Sequence, residues 1–316
     1  MKTVDYTARG NTGVLVGGEG GSAFSLDDQD AYCLWRREKL MRLERAHKQA
    51  PTPISNPQTL TRADSESLLA QIADSNLALY RWDAAPSDEQ DMDEWLLAFA
   101  SQFGLCALED HRSANHNGVV RIENAQGGGR GFYIPYTDKA ISWHTDGYYN
   151  YHGQDRAVRA MALHCARQAR EGGENRLLDH ELAYIRMRDE GEAALRLLFH
   201  PQAMTIPEAT DDAGRCRAQN TGPVFFVDAA GRLAMRYTAR KKFVDWRDGA
   251  TRKAAETLLA LIDSEPLARR VKMTAGEGVL CNNVLHDRAS FRNGDDSQRL
   301  LCRIRFHNVI DLTARN

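Results

Sequence analysis

The chain has 316 residues, 41 Lys+Arg against 43 Asp+Glu, and 42% apolar positions. This is ordinary globular usage and excludes a disordered, collagen-like or coiled-coil chain. A formal net charge of −2 removes bulk electrostatics as a reason to bind nucleic acid or an acidic membrane.

The N-terminus, MKTVDYTARGNTG, lacks the apolar stretch of a signal peptide. The longest apolar runs, Trp95–Ala100 and Leu258–Ile262, fall far short of the ~20 residues that span a bilayer. The expectation is a cytoplasmic protein without a transmembrane segment. The glycine run GGEGGS at 17–22 has neither G-x-G-x-x-G spacing nor a strand to feed it, and reads as a leader or turn. Residues 30–48 read as an amphipathic helix with Leu34, Leu40 and Leu43 on one side. APTPISNP at 50–57 carries three prolines and reads as a linker or extended arm. Residues 1–57 are therefore expected as an N-terminal arm and helix, and 58–316 as one domain.

A capped helix (Thr61–Ala73), a strand (Leu77–Trp82) and a helix (Met92–Phe103) ended by Gly104 come next. From there strands dominate: Val119–Asn124, Val158–Ala166, Val224–Asp228, Leu233–Tyr237, Val271–Thr274, Val279–Asn282 and Leu300–His307. Helical patterns interrupt them near 179–198 and 251–263. Many short strands with helices at the start and as inserts predict an α+β chain whose sheets form a sandwich or barrel flanked by helices. The six cysteines, Cys33, Cys106, Cys165, Cys216, Cys281 and Cys302, form no CxxC pair. They read as reduced thiols rather than a disulfide framework or zinc ribbon.

Of ten histidines only His144 heads an H-x-D, in AISWHTDGYYN. With 26 aspartates in the chain, chance alone supplies such a match, so the weight comes from its setting. Ala140–Trp143 reads as a short strand, which projects His144 and Asp146 to one side before Gly147 turns the chain. That is two-thirds of a 2-His-1-carboxylate triad, which leaves three positions on an iron open. His286, in GEGVLCNNVLHDRASF, fits as the distal histidine. Beyond it, RLLCRIRF sets Arg299, Arg303 and Arg305 on one strand face. Two readings stand for that face: an edge protected by charge, or guanidinium forks for a dicarboxylate.

Four blocks in order, HTDG at 144–147, GGEN at 172–175, PVFFVDAAGRLAMRY at 223–237 and NNVLHDRASF followed by RLLCRIRF, resemble the taurine dioxygenase/TfdA superfamily of Fe(II)- and 2-oxoglutarate-dependent oxygenases. The resemblance runs from about residue 75 to 310 and implies a double-stranded β-helix, or jelly roll, with flanking helices. It implies iron on His144, Asp146 and His286. It also implies 2-oxoglutarate contacts from Asn175, where Thr is commoner, and from the arginines spaced four apart, Arg299 and Arg303. Arg303 is the one expected on the distal carboxylate. The implied reaction consumes O2 and 2-oxoglutarate, releases succinate and CO2, and hydroxylates a C–H bond. Asp146 favours hydroxylation or desaturation, because halogenases of the family lack that carboxylate.

Tyr148, Tyr149 and Tyr151 follow HTDG and read either as pocket lining or as core. The glycine-rich stretch 124–139, with Arg130 and Tyr133, reads as a lid or a plain hairpin. Arg236, Arg240, Lys241 and Lys242 read as substrate contacts or a solvated strand end. HTDGYYN also resembles bacterial Kdo hydroxylases, which act on an acidic sugar of lipopolysaccharide. A metal-binding jelly roll without oxygenase activity, and a zinc hydrolase using the same triad, remain the other classes.

Overall fold

The computed structural model describes residues 22–86, 88, 91–110, 114–115, 117–124, 134–210, 214, 216–294 and 298–313. The expected leader at 17–22 therefore lies almost wholly outside the described residues. So does most of the glycine-rich stretch, including Arg130 and Tyr133.

The helices are α1 (Gln29–His47), α2 (Arg62–Ser75), α3 (Met92–Ser101), α4 (His180–Glu190), α5 (Glu192–Phe199) and α6 (Gly249–Asp263). The strands that build the sheets around the site, numbered here in chain order, are β1 (Thr52–Ile54), β2 (Leu77–Trp82), β3 (Val120–Ile122), β4 (Ile141–His144), β5 (Ala160–Arg167), β6 (Asn175–Leu178), β7 (Phe225–Val227), β8 (Leu233–Met235), β9 (Arg269–Val271), β10 (Glu277–Cys281), β11 (Leu285–Arg288) and β12 (Leu300–Phe306). Six form one sheet in the order β1-β2-β10-β5-β12-β3, and four form a second in the order β9-β6-β11-β4. Every pairing in these two sheets is antiparallel except β1 with β2. The two facing sheets are the jelly roll that the resemblance implied.

Strand alternation assigns the layers. Leu77 and Leu79 of β2, Met161, Leu163 and Cys165 of β5, and Val279 and Cys281 of β10 fill the interior with Leu177 of the smaller sheet. The intervening residues Tyr80, Trp82, Ala162, Leu280, Cys302 and Ile304 face α2 and α3 on the other side. Both faces of the large sheet are thus covered, which explains why its strands read as nearly continuous apolar runs. A third cluster joins α4, α5 and α6 to β7 and β8.

Local signals place the helices. Thr61 and Asp64 form a capping box at the start of α2, whose end is Asn76 in the left-handed region. The helical stretch at 179–198 is two helices, broken at Gly191. Of the two readings of the proline-rich segment, the extended one fits: Thr52–Ile54 pairs in parallel with Tyr80–Trp82. It lies at the sheet edge, where a proline's missing N–H costs no ladder bond. Helix α1 buries the expected side in part, with Leu43 in the core and Leu40 packed against it. Leu34 is half exposed, whereas Tyr32, Lys39, Leu43 and Ala46 are buried. Lys39 Nζ meets Asp179 at 2.7 Å and Glu181 at 2.5 Å, so a charged residue joins the leucines in anchoring the helix.

Candidate active site

His144 closes β4 and His286 lies on β11, and the two are direct Cα partners across the antiparallel pair. Their rings are 4.2 Å apart. Each ring is oriented by the carbonyl two residues upstream: His144 Nδ1 lies 2.9 Å from Ser142 O, and His286 Nδ1 lies 3.0 Å from Val284 O. A donating Nδ1–H fixes the tautomer that leaves Nε2 a lone pair, the second-shell arrangement metal-binding imidazoles use. Burial and the neighbouring His286 lower the His144 pKa to about 3, so the ring is neutral at pH 7.

Asp146 follows in the turn after β4. Ligand atoms of His144, Asp146 and His286 all lie within 4.8 Å of one another. Burial alone would raise the Asp146 pKa, but Arg303 and Arg305 outweigh it and hold the carboxyl well below its usual range. Both guanidiniums address the same oxygen, Oδ1, at 2.9 and 3.4 Å. Oδ2 is buried with no hydrogen-bond partner. Two imidazole nitrogens and one orphaned carboxylate oxygen make a donor set that suits Fe(II) or Zn(II).

Two elements fix this turn. Gly147 has φ +74°, and a Cβ there would come within 2.4 Å of Val158 Cγ2, so no other residue fits the turn without displacing Val158, just ahead of β5. Asn283, at φ +47°, accepts from Asp146 N–H at 2.8 Å. Its amide donates to Asp146 O at 3.0 Å and Val158 O at 2.8 Å. The asparagine pair in NNVLH is the only sequence trace of this clamp.

The arginines face the interior. Arg299, Arg303 and Arg305 are all buried, so the edge-strand reading of RLLCRIRF is overturned. Arg305 pairs with Glu109, and both its terminal nitrogens donate to Tyr149 Oη at 3.3 Å. Glu109, unmarked in the sequence, is drawn in by the Leu108–Phe306 bridge. Arg303 is occupied by Asp146. Arg299 makes no side-chain hydrogen bond or ion pair with the described residues. Its guanidinium carbon lies 5.0 Å from the Phe291 ring centroid, and a Cβ on Gly173 would stand 3.4 Å from its Nε. The GGEN block thus keeps space beside a buried, unpaired cation.

Other expected site residues divide. Tyr148 approaches His144 edge-on, with centroids 6.2 Å apart, and Tyr149 reaches Arg305. Tyr151 instead packs with Ala157, Phe226 and Ala234 under the Arg236 guanidinium. Arg236 itself donates to the carbonyls of Tyr148 and Met204, which makes it a brace for this turn. Asn175 spends its amide nitrogen on Asp287 O at 2.7 Å and leaves Oδ1 buried and unpaired. An unpaired acceptor is the wrong polarity for a carboxylate. Arg240, Lys241 and Lys242 form no ion pair with the described residues. They follow Thr238, which bridges His144, and Ala239, whose N–H donates to Trp143 O.

Comparison with known proteins agrees with this geometry. A sequence model described as "Taurine catabolism dioxygenase TauD, TfdA family" matches residues 53–305. A uridine-5'-phosphate dioxygenase from Amycolatopsis sp is 28% identical over 171 residues, which cover 51% of this chain and 58% of that protein. The chain thus spans little more than half the length of that relative. Among solved structures, asparagine oxygenase in complex with Fe(II), 2S,3S-3-hydroxyasparagine and succinate superposes with a TM-score of 0.55 at 15% identity, covering 87% of this chain and 91% of that one. PvcB from Pseudomonas aeruginosa gives 0.55 at 14%, over 83% and 86%. The non-heme iron oxygenase OrfP in complex with Fe, succinate and (3S)-hydroxy-L-Arg gives 0.55 at 16%, over 84% and 83%. At such identities these establish a shared fold. With the family match over most of its length, the chain belongs to the taurine catabolism dioxygenase TauD, TfdA family.

Proposed function

We propose that the protein is an Fe(II)- and 2-oxoglutarate-dependent dioxygenase that hydroxylates a small polar or anionic substrate. The carrying observation is the triad itself: two Nδ1-tethered imidazoles and Asp146 Oδ2, buried without a partner. The chemistry that iron and 2-oxoglutarate supply when bound is oxygen activation coupled to decarboxylation of the co-substrate. His144, Asp146 and His286 would hold the metal. Arg303 and Arg305 keep Asp146 ionised through Oδ1 and leave Oδ2 for coordination.

The co-substrate's distal carboxylate is assigned to Arg299 in place of the expected Arg303, because Arg303 already serves Asp146 and Arg299 is unpaired. Asn175 is dropped as a direct contact for its polarity. A hydrolytic reading would need a free general base. Glu109, the carboxylate brought beside Arg305, is neutralised by it. Tyr148, edge-on to His144, and Tyr149, on Arg305, would screen a bound metal on the turn side.

The unpaired cations Arg240, Lys241 and Lys242 beside β4 support an anionic substrate. The relative named for uridine 5'-phosphate makes a nucleoside monophosphate one class to screen, and an acidic sugar such as Kdo is the other. The test is succinate release under O2 with Fe(II), 2-oxoglutarate and each anion. One class should raise succinate formation well above the uncoupled background. Substrate hydrolysis with zinc and no succinate with iron would overturn the reading.

A further inference from the structure

Arg288 lies two residues beyond His286 on β11 and is 4% exposed. Its terminal nitrogens go to three carbonyls of one segment: Pro135 at 3.2 Å, Thr137 at 2.7 Å and Lys139 at 2.5 Å. Phe291 N–H adds a fourth tie to the same segment through Asp138 O at 3.0 Å. Residues 134–139 are thereby latched onto the strand that carries the distal histidine. The remaining donor, Arg288 Nε, is buried and unpaired.

The Arg288 guanidinium shares the Phe291 ring with Arg299, each carbon 5.0 Å from the centroid. Neither forms an ion pair with a carboxylate of the described residues. Asp138 is the carboxylate whose charge acts on Arg288. That aspartate is exposed on the latched segment itself. Two desolvated like charges at one apolar ring repel at a distance where the low local dielectric leaves them poorly screened. An anion at Arg299 would offset both.

We propose that Arg288 is a positioning residue that couples occupancy of the co-substrate pocket to the order of residues 134–139. The inference rests on the assignment of Arg299 to the distal carboxylate made above. With that carboxylate bound, the repulsion on Arg288 falls and its three carbonyl bonds hold the segment more firmly. By linkage, the latched segment raises co-substrate affinity by the same factor.

The experiment uses the full chain loaded with Mn(II) under anaerobic conditions, with hydrogen exchange read at the amides of Thr137, Lys139 and Phe291. 2-Oxoglutarate should slow exchange there by about fivefold or more, the usual lower range of such coupling. Pyruvate offers the same keto-acid chelate without the distal carboxylate, and should leave exchange unchanged even at saturation. Arg288→Lys keeps the charge but cannot span three carbonyls. It should lose the 2-oxoglutarate-induced protection and weaken 2-oxoglutarate binding while Mn(II) affinity stays constant. Equal protection by pyruvate, or full protection in Arg288→Lys, overturns the proposal. The pyruvate arm uses unaltered protein, so it decides even if the variant misfolds. No binding of 2-oxoglutarate to the Mn(II)-loaded wild type would bring down the co-substrate assignment itself, and the coupling with it.

Discussion

Asn283 holds Asp146 from behind, through both the N–H and the carbonyl of that residue. Its left-handed backbone is one that asparagine tolerates better than most residues. Asn283→Ala would strand two carbonyls and an N–H in a buried place, at about 1–3 kcal/mol for each group left unsatisfied. Because the clamp orients a ligand, metal affinity should also fall by about 10- to 100-fold. Calorimetric metal titration beside a urea melt separates these effects, and a variant that loses stability but keeps metal affinity would refute the orienting role. The arginines make a second test. Arg299→Ala should weaken 2-oxoglutarate binding by about 30-fold or more, the lower end for losing a buried charged partner. Arg303→Ala should act mainly on the metal, since it removes the 2.9 Å contact to Asp146. A 2-oxoglutarate titration in which Arg303→Ala is the worse variant would restore the strand reading based on four-residue spacing.

At the scale of elements, the site depends on two short strands whose ends meet, β4 and β11, and on what holds them in register. Strand β11 reads Leu-His-Asp-Arg with every residue buried, so no alternation of apolar and polar residues marks it. Its partner signals are tertiary: Asp287 accepts from Arg176, and Arg288 serves the 134–139 segment. The strand Leu77–Trp82 was legible because both its faces are apolar. The one at Thr52–Ile54 was hidden by prolines that an edge tolerates. Parity placed three arginines on one face but could not choose among them; Asp146 and Glu109, distant in sequence, decide which are occupied. The same holds for α1, where Lys39 is buried beside Leu43 by its tertiary partners Asp179 and Glu181. Lys39→Met would leave Asp179 without its buried cation. Removing one member of a buried pair costs about 3–5 kcal/mol, so denaturant unfolding should show a loss of that order. A change below 1 kcal/mol would mean that α1 docks through Tyr32 and Leu43 alone.

Across the whole molecule, the large sheet is shared between the site on its inner face and a helix-backed aromatic layer on the other. His164 of β5 belongs to that second layer, stacked 3.9 Å from Trp82, with Nδ1 buried and unpaired. Burial lowers its pKa to about 3. The unfolded chain takes up this proton near pH 6.5 and the folded one does not, so stability present above pH 6.5 is lost as pH falls toward 3. His164→Phe should flatten the dependence of unfolding free energy over that window by up to about 1.4 kcal/mol per pH unit. An unchanged slope would show that other histidines carry the acid sensitivity.

The triad and the four ordered sequence blocks were legible from the start. The assignment of each arginine was not, because it depends on partners supplied by the fold. The central claim is that His144, Asp146 and His286 hold iron while Arg299 receives the co-substrate. Anaerobic titration of the Fe(II)-loaded protein with 2-oxoglutarate, followed in the visible region, tests it most directly. A weak charge-transfer band should grow to saturation at one equivalent, shift to higher 2-oxoglutarate concentration in Arg299→Ala, and be absent in His286→Ala. A wild-type protein that binds Fe(II) yet develops no band, or a band that His286→Ala retains, would contradict it.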